Sequence, residues 1–194
     1  MMSDPNTTSA SCEIARSERG TGRRALSLLC ALALLASALL AGCASEPTQR
    51  LTRADKVVVK KSERKLQLVQ NGEVLREYRV ALGDRPRGHK MREGDERTPE
   101  GDYTLDWRNP NSRFYKSIHV SYPNDRDVRF ARFMGESPGG MIMIHGQPNH
   151  IRSDRIRAEY QRRDWTDGCI AVQNHEMDEI WRTVRNGTPI KILP

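Results

Sequence analysis

The chain has 194 residues, a formal net charge of +7 and 4 cysteines. That length holds one ordinary domain plus an appendage. Hydrophobic residues at 37% and charged residues at 29% exclude a multi-span membrane protein and a collagen-like chain. Cys12, Cys30 and Cys43 fall in the first quarter and Cys169 stands alone, so there is no CxxC pair and no zinc-ribbon or thioredoxin-type motif. In chain order, residues 16–24 carry four Arg against one Glu, and Ala25–Leu40 is an uncharged run of Ala, Leu, Ser and Cys. A positive segment followed by an apolar one is the layout of a secretory signal. The run falls short of the ~20 residues a spanning helix needs, so a permanent anchor helix is the weaker reading.

The run ends in Leu40-Ala41-Gly42-Cys43, which resembles a bacterial lipobox, the lipoprotein-processing signal. The resemblance implies cleavage before Cys43 and lipidation of its thiol. Residues 1–42 are then a signal peptide and 43–54 a lipidated tether. Ala44 is not the Asp of the common inner-membrane retention signal, so the expectation is an exported chain facing the periplasm, with the outer membrane favoured. Two acyl chains and an amide-linked one anchor stably where one does not. With a pI near 9.5, the anionic partners outside the cytoplasm are wall carboxylates and lipid phosphates, and no nucleic acid is expected.

Residues 56–61 and 65–70 read as strands, the second alternating Leu66 and Leu68 with polar neighbours. Asn71-Gly72 is a two-residue hairpin turn that returns the chain as a strand over 73–82. A charged loop over 83–99 leads to strands at 101–107 and 116–120. Asn124 caps a short helix over 125–134, and 140–145 is an apolar strand ending in His145. Residues 149–164 are an Arg-rich loop with some helix. Asn174 caps a helix over 175–185, Gly187 suits its C′ position, and 188–193 closes the domain as a strand. Many strands, one clear helix and no internal repeat indicate a mainly β domain of sheet-sandwich or barrel type.

After processing, Cys169 is the one remaining thiol, in a compartment that favours disulfides. Thiolate chemistry is one reason to keep it; a small buried hydrophobe is the other. His145 ends a strand and is followed by Gly146, so its imidazole can take a proton from a thiol on a neighbouring strand. The carbonyl of a nearby residue can fix its tautomer. Gly168 permits a tight turn, so the N–H groups of Gly168 and Cys169 can face an oxyanion. His119, His150 and His175 with His145 lack metal-ligand spacing, and no metal or other cofactor is expected.

Ile144-His145-Gly146 and Thr166-Asp167-Gly168-Cys169-Ile170 resemble the active-site signature of L,D-transpeptidase (YkuD-type) catalytic domains. Arg97-Thr98-Pro99-Glu100-Gly101-Asp102-Tyr103 resembles that family's TPxGxF/Y segment, and the hairpin at Asn71-Gly72 with Tyr78–Gly83 resembles its N-terminal strands. The resemblance covers about residues 55–194. It implies a β-sandwich of mixed sheets with one or two short helices, acting on peptidoglycan stem peptides. Cys169 would be the nucleophile that expels the terminal D-Ala, His145 the base, and Gly168 with Cys169 the oxyanion donors. The acyl group would pass to an amine of a second stem peptide, to a lysine of an envelope protein, or to water. Gly146, Thr166, Asp167, Asn174 and Arg163 would line the substrate side, with Arg152 and Arg155 as further sources of positive charge. Two residues depart from the family pattern. Asp167 stands where His is usual and would raise the thiol pKa if it faces the site, and Ala171 stands where a polar residue is usual. Alternatives are a hydrolase on the same path and a lipid-anchored wall-binding module with a lapsed site.

Overall fold

The structure, a computed structural model, describes residues 52–194. The expected signal peptide (1–42), Cys43 and most of the tether (43–54) lie outside the described residues. Among the described residues no helix is long and apolar enough to cross a membrane.

Three strands open the domain: β1 (Lys56–Lys60), β2 (Lys65–Gln70) and β3 (Glu73–Arg79). The β2–β3 turn is Asn71-Gly72, with φ of 54° and 84°, which is the doubly positive φ that this residue pair supplies in a hairpin. Next come β4 (Gly101–Ser112), β5 (Tyr115–Val120), α1 (Asp125–Phe133) and β6 (Met143–His145). The chain finishes with α2 (Asp154–Tyr160), β7 (Ile170–Ala171), α3 (Asn174–Thr183) and β8 (Thr188–Leu193).

The eight strands form one sheet in the order β3-β2-β1-β8-β4-β5-β6-β7. Pairings are antiparallel except β1 with β8 and β6 with β7. The fold is thus mainly β with a mixed sheet and short helices, three of them. The expected sandwich takes the form of a single curled sheet. Ala81, just past edge strand β3, exchanges backbone hydrogen bonds of 2.9 and 2.8 Å with Ala171 of the opposite edge strand β7. That bridge draws the two ends of the ladder together and leaves less exposed edge.

The core follows strand alternation: Val57, Val59, Leu66, Leu68, Tyr103, Leu105, Ile190 and Ile192 face one interior. Met177, Ile180 and Val184, at helical spacing, bring α3 and its end onto it.

β3 ends at Arg79, short of the expected 82, and there are four further departures from expectation. β4 runs to Ser112, past Pro110, because Pro110 falls in a register shift of the β4–β5 ladder between Asn109 and Ser112, where its missing N–H costs no bond. The expected strand 140–145 is hydrogen-bonded only over its last three residues. α3 is capped by Gln173, not Asn174: Gln173 N–H donates to Glu176 Oε2 at 2.8 Å, while the Asn174 side chain turns to Gln147. Gly187 is not a C′ residue, since α3 ends at Thr183; it has φ of 90° and donates its N–H to Leu105 O.

Candidate active site

β6 and β7 run parallel with Ile144 opposite Ile170 and His145 opposite Ala171. Ile144 and Ile170 point into the core. By alternation, Met143, His145 and Cys169 share the other face of this strand pair. Cys169 is half-buried, and its Sγ accepts from Met143 N–H at 3.4 Å. The thiol also reaches Met141 O at 3.6 Å. Sequence positions 24 apart therefore lie two rungs apart on one face of the β6–β7 pair.

His145 is 3% exposed. Phe114 (ring centroids 4.6 Å apart) and Trp165 (5.7 Å) close over it. Its Nδ1 lies 2.7 Å from Gly146 O, so Nδ1–H donates there and Nε2 keeps a free lone pair. Burial pushes the imidazole pKa down to about 4, against the Gly146 carbonyl, which favours protonation. Burial likewise pushes the Cys169 thiol up to about 11; the Asp167 charge adds to the rise, and Met143 N–H and Lys90 oppose it. Both groups are neutral at pH 7. A neutral imidazole of this kind is able to accept a proton from a thiol during attack.

The turn before Cys169 is built on Thr166. Its Oγ1 accepts from Gly168 N–H at 3.2 Å and donates to Cys169 O at 2.8 Å. Both hydrogen bonds bear on how the turn is held. Gly168 N–H is engaged in the turn. Thr166 is buried and spends its hydroxyl inside the turn. Cys169 N–H has no partner in the hydrogen bonds among the described residues. Gly168 is needed for space and conformation: φ is 124°, and a Cβ would lie 2.5 Å from Arg97 O. Gly146 is also a packing residue, buried where a Cβ would meet Asn174 Oδ1 at 2.6 Å. Asn174 Oδ1 in turn accepts from Gln147 N–H at 2.8 Å, which ties the start of α3 to the residues just past the His145 strand end. Asp167 and Arg163 are exposed. Arg163 stacks over Tyr160 at 5.1 Å, and Tyr160 meets Trp165 edge-on.

Residues that the sequence reading passed over hold this turn in place. Lys61, 2% exposed, donates to Gly88 O (2.6 Å), Thr98 O (2.8 Å) and Glu100 Oε1 (2.8 Å). Thr98 Oγ1 accepts from Gly83 N–H at 3.2 Å, so the Thr-Pro-Glu-Gly segment pins the 83–100 loop against Gly168. Arg64 forks onto Asp164, whose Oδ1 also accepts from Leu82 N–H at 2.9 Å. Buried Gln147 and Gln161 bond each other at 2.8 Å beneath the Arg-rich excursion. A lone Lys or Gln in a polar sequence gives no sign that it will be buried. Among the described residues no cluster of His, Cys, Asp or Glu has metal-ligand grouping. His119 sits 2.7 Å from Asp106 and stacks on Trp107.

The site thus sets a half-buried thiol and a tautomer-fixed imidazole on the same face of the β6–β7 pair. The sequence model of the YkuD L,D-transpeptidase catalytic domain matches residues 54–192, and the chain belongs to that family. YafK of Escherichia coli (strain K12), provisionally named an L,D-transpeptidase, is 35% identical over 131 residues, which is 64% of this chain and 44% of YafK. The helical cell shape determining protein Pgp2 from Campylobacter jejuni superposes with a TM-score of 0.50 and 25% identity over 71% of this chain and 46% of Pgp2. The chain thus spans under half the length of these relatives.

Proposed function

We propose that this chain is a peptidoglycan L,D-transpeptidase in which Cys169 is the nucleophile and His145 the general base. The observation that carries the reading is the pairing of β6 with β7, which sets the two side chains on one face with His145 Nε2 unprotonated. The thiol adds to the carbonyl of the diamino acid of a stem peptide as Nε2 takes its proton. The imidazolium then returns that proton to the departing D-Ala amine, leaving a thioester. Cys169 N–H is the backbone donor available to the tetrahedral oxyanion, and neutral imidazole favours capture of the thioester by an amine in the same way. The acceptor is an amine of a second stem peptide or a lysine of an envelope protein. Exposed Asp167 and Arg163 lie in the segment leading to Cys169 and meet the peptide chains from solvent. The lipobox-like Leu40–Cys43 supports a periplasm-facing, lipid-anchored chain, with the membrane reached through Cys43; incorporation of labelled palmitate, lost in Cys43→Ala, tests this.

Incubation of the purified chain with tetrapeptide-bearing muropeptides, read by mass spectrometry, tests the activity. Crosslinked dimers support transfer. Loss of D-Ala or of crosslinks without dimers assigns the hydrolytic outcome, and an unchanged profile refutes both. Cys169→Ala abolishes either product; full turnover in that variant rules out the nucleophile.

A further inference from the structure

A cleft of about 290 Å³ opens between the 85–97 loop and the end of α1. Measured in waters of about 30 Å³, it has room for one aliphatic side chain with a charged end. Met91, Phe130 and Met134 make its apolar wall, and Arg85, Arg92 and Arg97 bring three guanidinium groups to it. The carboxylates present balance them only in part, and Glu136 leaves a surplus of one positive charge among the lining groups. Asp95 is consumed by Lys90 Nζ at 2.8 Å and by the N–H groups of Met91, Arg92 and Arg97. Arg85 pairs with Glu96 at 3.2 Å, outside the lining. Glu136 is the other lining carboxylate and forms no ion pair among the described residues. Arg92 and Arg97 likewise have no carboxylate partner among the described residues. Half-buried Arg97 meets only His89 O (3.5 Å) and Met91 Sδ (3.7 Å). A guanidinium removed from water without an anion is costly to keep.

The cleft adjoins the proposed nucleophile. The carbonyl of Arg97 packs against Gly168, next to Cys169. Glu93 N–H donates to Ser137 O at 2.7 Å, tying the loop to the segment that leads to Met141, whose carbonyl faces the thiol.

We infer that this cleft is a subsite for a carboxylate borne on an aliphatic side chain of the peptide substrate, held by Arg92 and Arg97. The inference rests on the reading of Cys169 as acting on a peptide. The planar fork of each guanidinium suits a carboxylate, and the methionine and phenylalanine wall suits the methylenes that carry it. The subsite therefore selects a stem peptide whose diamino acid ends in a free carboxylate over one whose carboxylate is amidated.

The test is equilibrium binding to the full-length Cys169→Ala chain in detergent, by titration calorimetry. The probes are a meso-diaminopimelate tetrapeptide and the same peptide amidated at its side-chain carboxylate. Amidation is expected to weaken binding about tenfold, the scale of a charge-assisted pair. Arg92→Gln and Arg97→Gln are expected to bind both peptides alike, at the affinity the parent has for the amidated one. Arg92 is exposed, so that variant keeps its fold, and unfolding midpoints check both. Equal binding of both peptides by the parent, no binding of either, or discrimination retained in both variants overturns the subsite. Failure of the transpeptidase reading shows elsewhere, as the absence of any acyl adduct on the native Cys169 chain.

Discussion

The neutral state of the Cys169–His145 pair has a direct kinetic consequence. With its thiol pushed up to about 11, Cys169 carries about one thiolate in 10⁴ at pH 7, against about one in 10² at its ordinary value of 9.0. Nucleophilicity rises with basicity at a Brønsted slope of about 0.5, which returns about tenfold over two units. Cys169 should therefore alkylate about tenfold more slowly at pH 7 than an unperturbed thiol of equal access. The cause is burial together with the charge of Asp167, so Asp167→Asn should speed the reaction at pH 7 and shift its profile to lower pH. The assay is iodoacetamide labelling of the native chain from pH 5 to 10, with Cys169 followed by peptide mass mapping. Log rate should rise by one per pH unit across pH 6–10 without levelling. A plateau between pH 5 and 8 would mean a preformed thiolate–imidazolium pair and would refute the reasoning.

Further expectations concern the scaffold. His145, buried with its pKa lowered to about 4, contributes stability that is present above its unfolded value of 6.5 and lost as pH falls toward 4. The loss is about 3 kcal/mol, so His145→Asn should show a correspondingly smaller drop in urea-unfolding free energy between pH 7 and pH 4. An unchanged drop would remove His145 as the cause. Gly168→Ala places a Cβ 2.5 Å from a backbone carbonyl at φ of 124° and should cost about 3 kcal/mol or more in thermal unfolding. A shift under about 0.5 kcal/mol would mean that the turn is not confined as described. Lys61→Met orphans two carbonyls and the Glu100 carboxylate and should cost about 3–5 kcal/mol. Limited proteolysis should then cut the 83–100 loop; equal resistance in variant and parent would disprove its role as a strut.

Much of the architecture could be read locally. The Asn71-Gly72 turn, the alternation in β1, β2 and β8, and the Asn124 cap of α1 each depend on a few consecutive residues. Asn124 Oδ1 accepts from Arg126 and Asp127 N–H as its residue type predicts. β7 could be expected only as a strand beside His145 that starts at Cys169, without bounds, because two residues carry no period and Ile170–Ala171 is a strand by virtue of β6 and Ala81 beside it. Asn174 and Gln173 compete for the same cap, and the winner was set by a contact with Gln147, 27 positions away. Within the site, Cys169 and His145 were visible as residue types at motif spacing. The roles of Gly146, Gly168 and Thr166 were not, because each depends on what packs against it.

By itself, then, the sequence determined most element types, the family signature and the two residues proposed to exchange a proton. It did so because hydrophobic period, turn chemistry and motif order are properties of neighbouring residues. The tertiary structure alone decided that β6 and β7 pair in parallel and that His145 lies dry between Phe114 and Trp165. It also decided that Thr166 takes the Gly168 N–H and that Arg92 and Arg97 line one cleft without forming an ion pair among the described residues. Burial, register and charge balance arise from long-range packing, and they set the thiol and imidazole to neutral where residue identity left both states open.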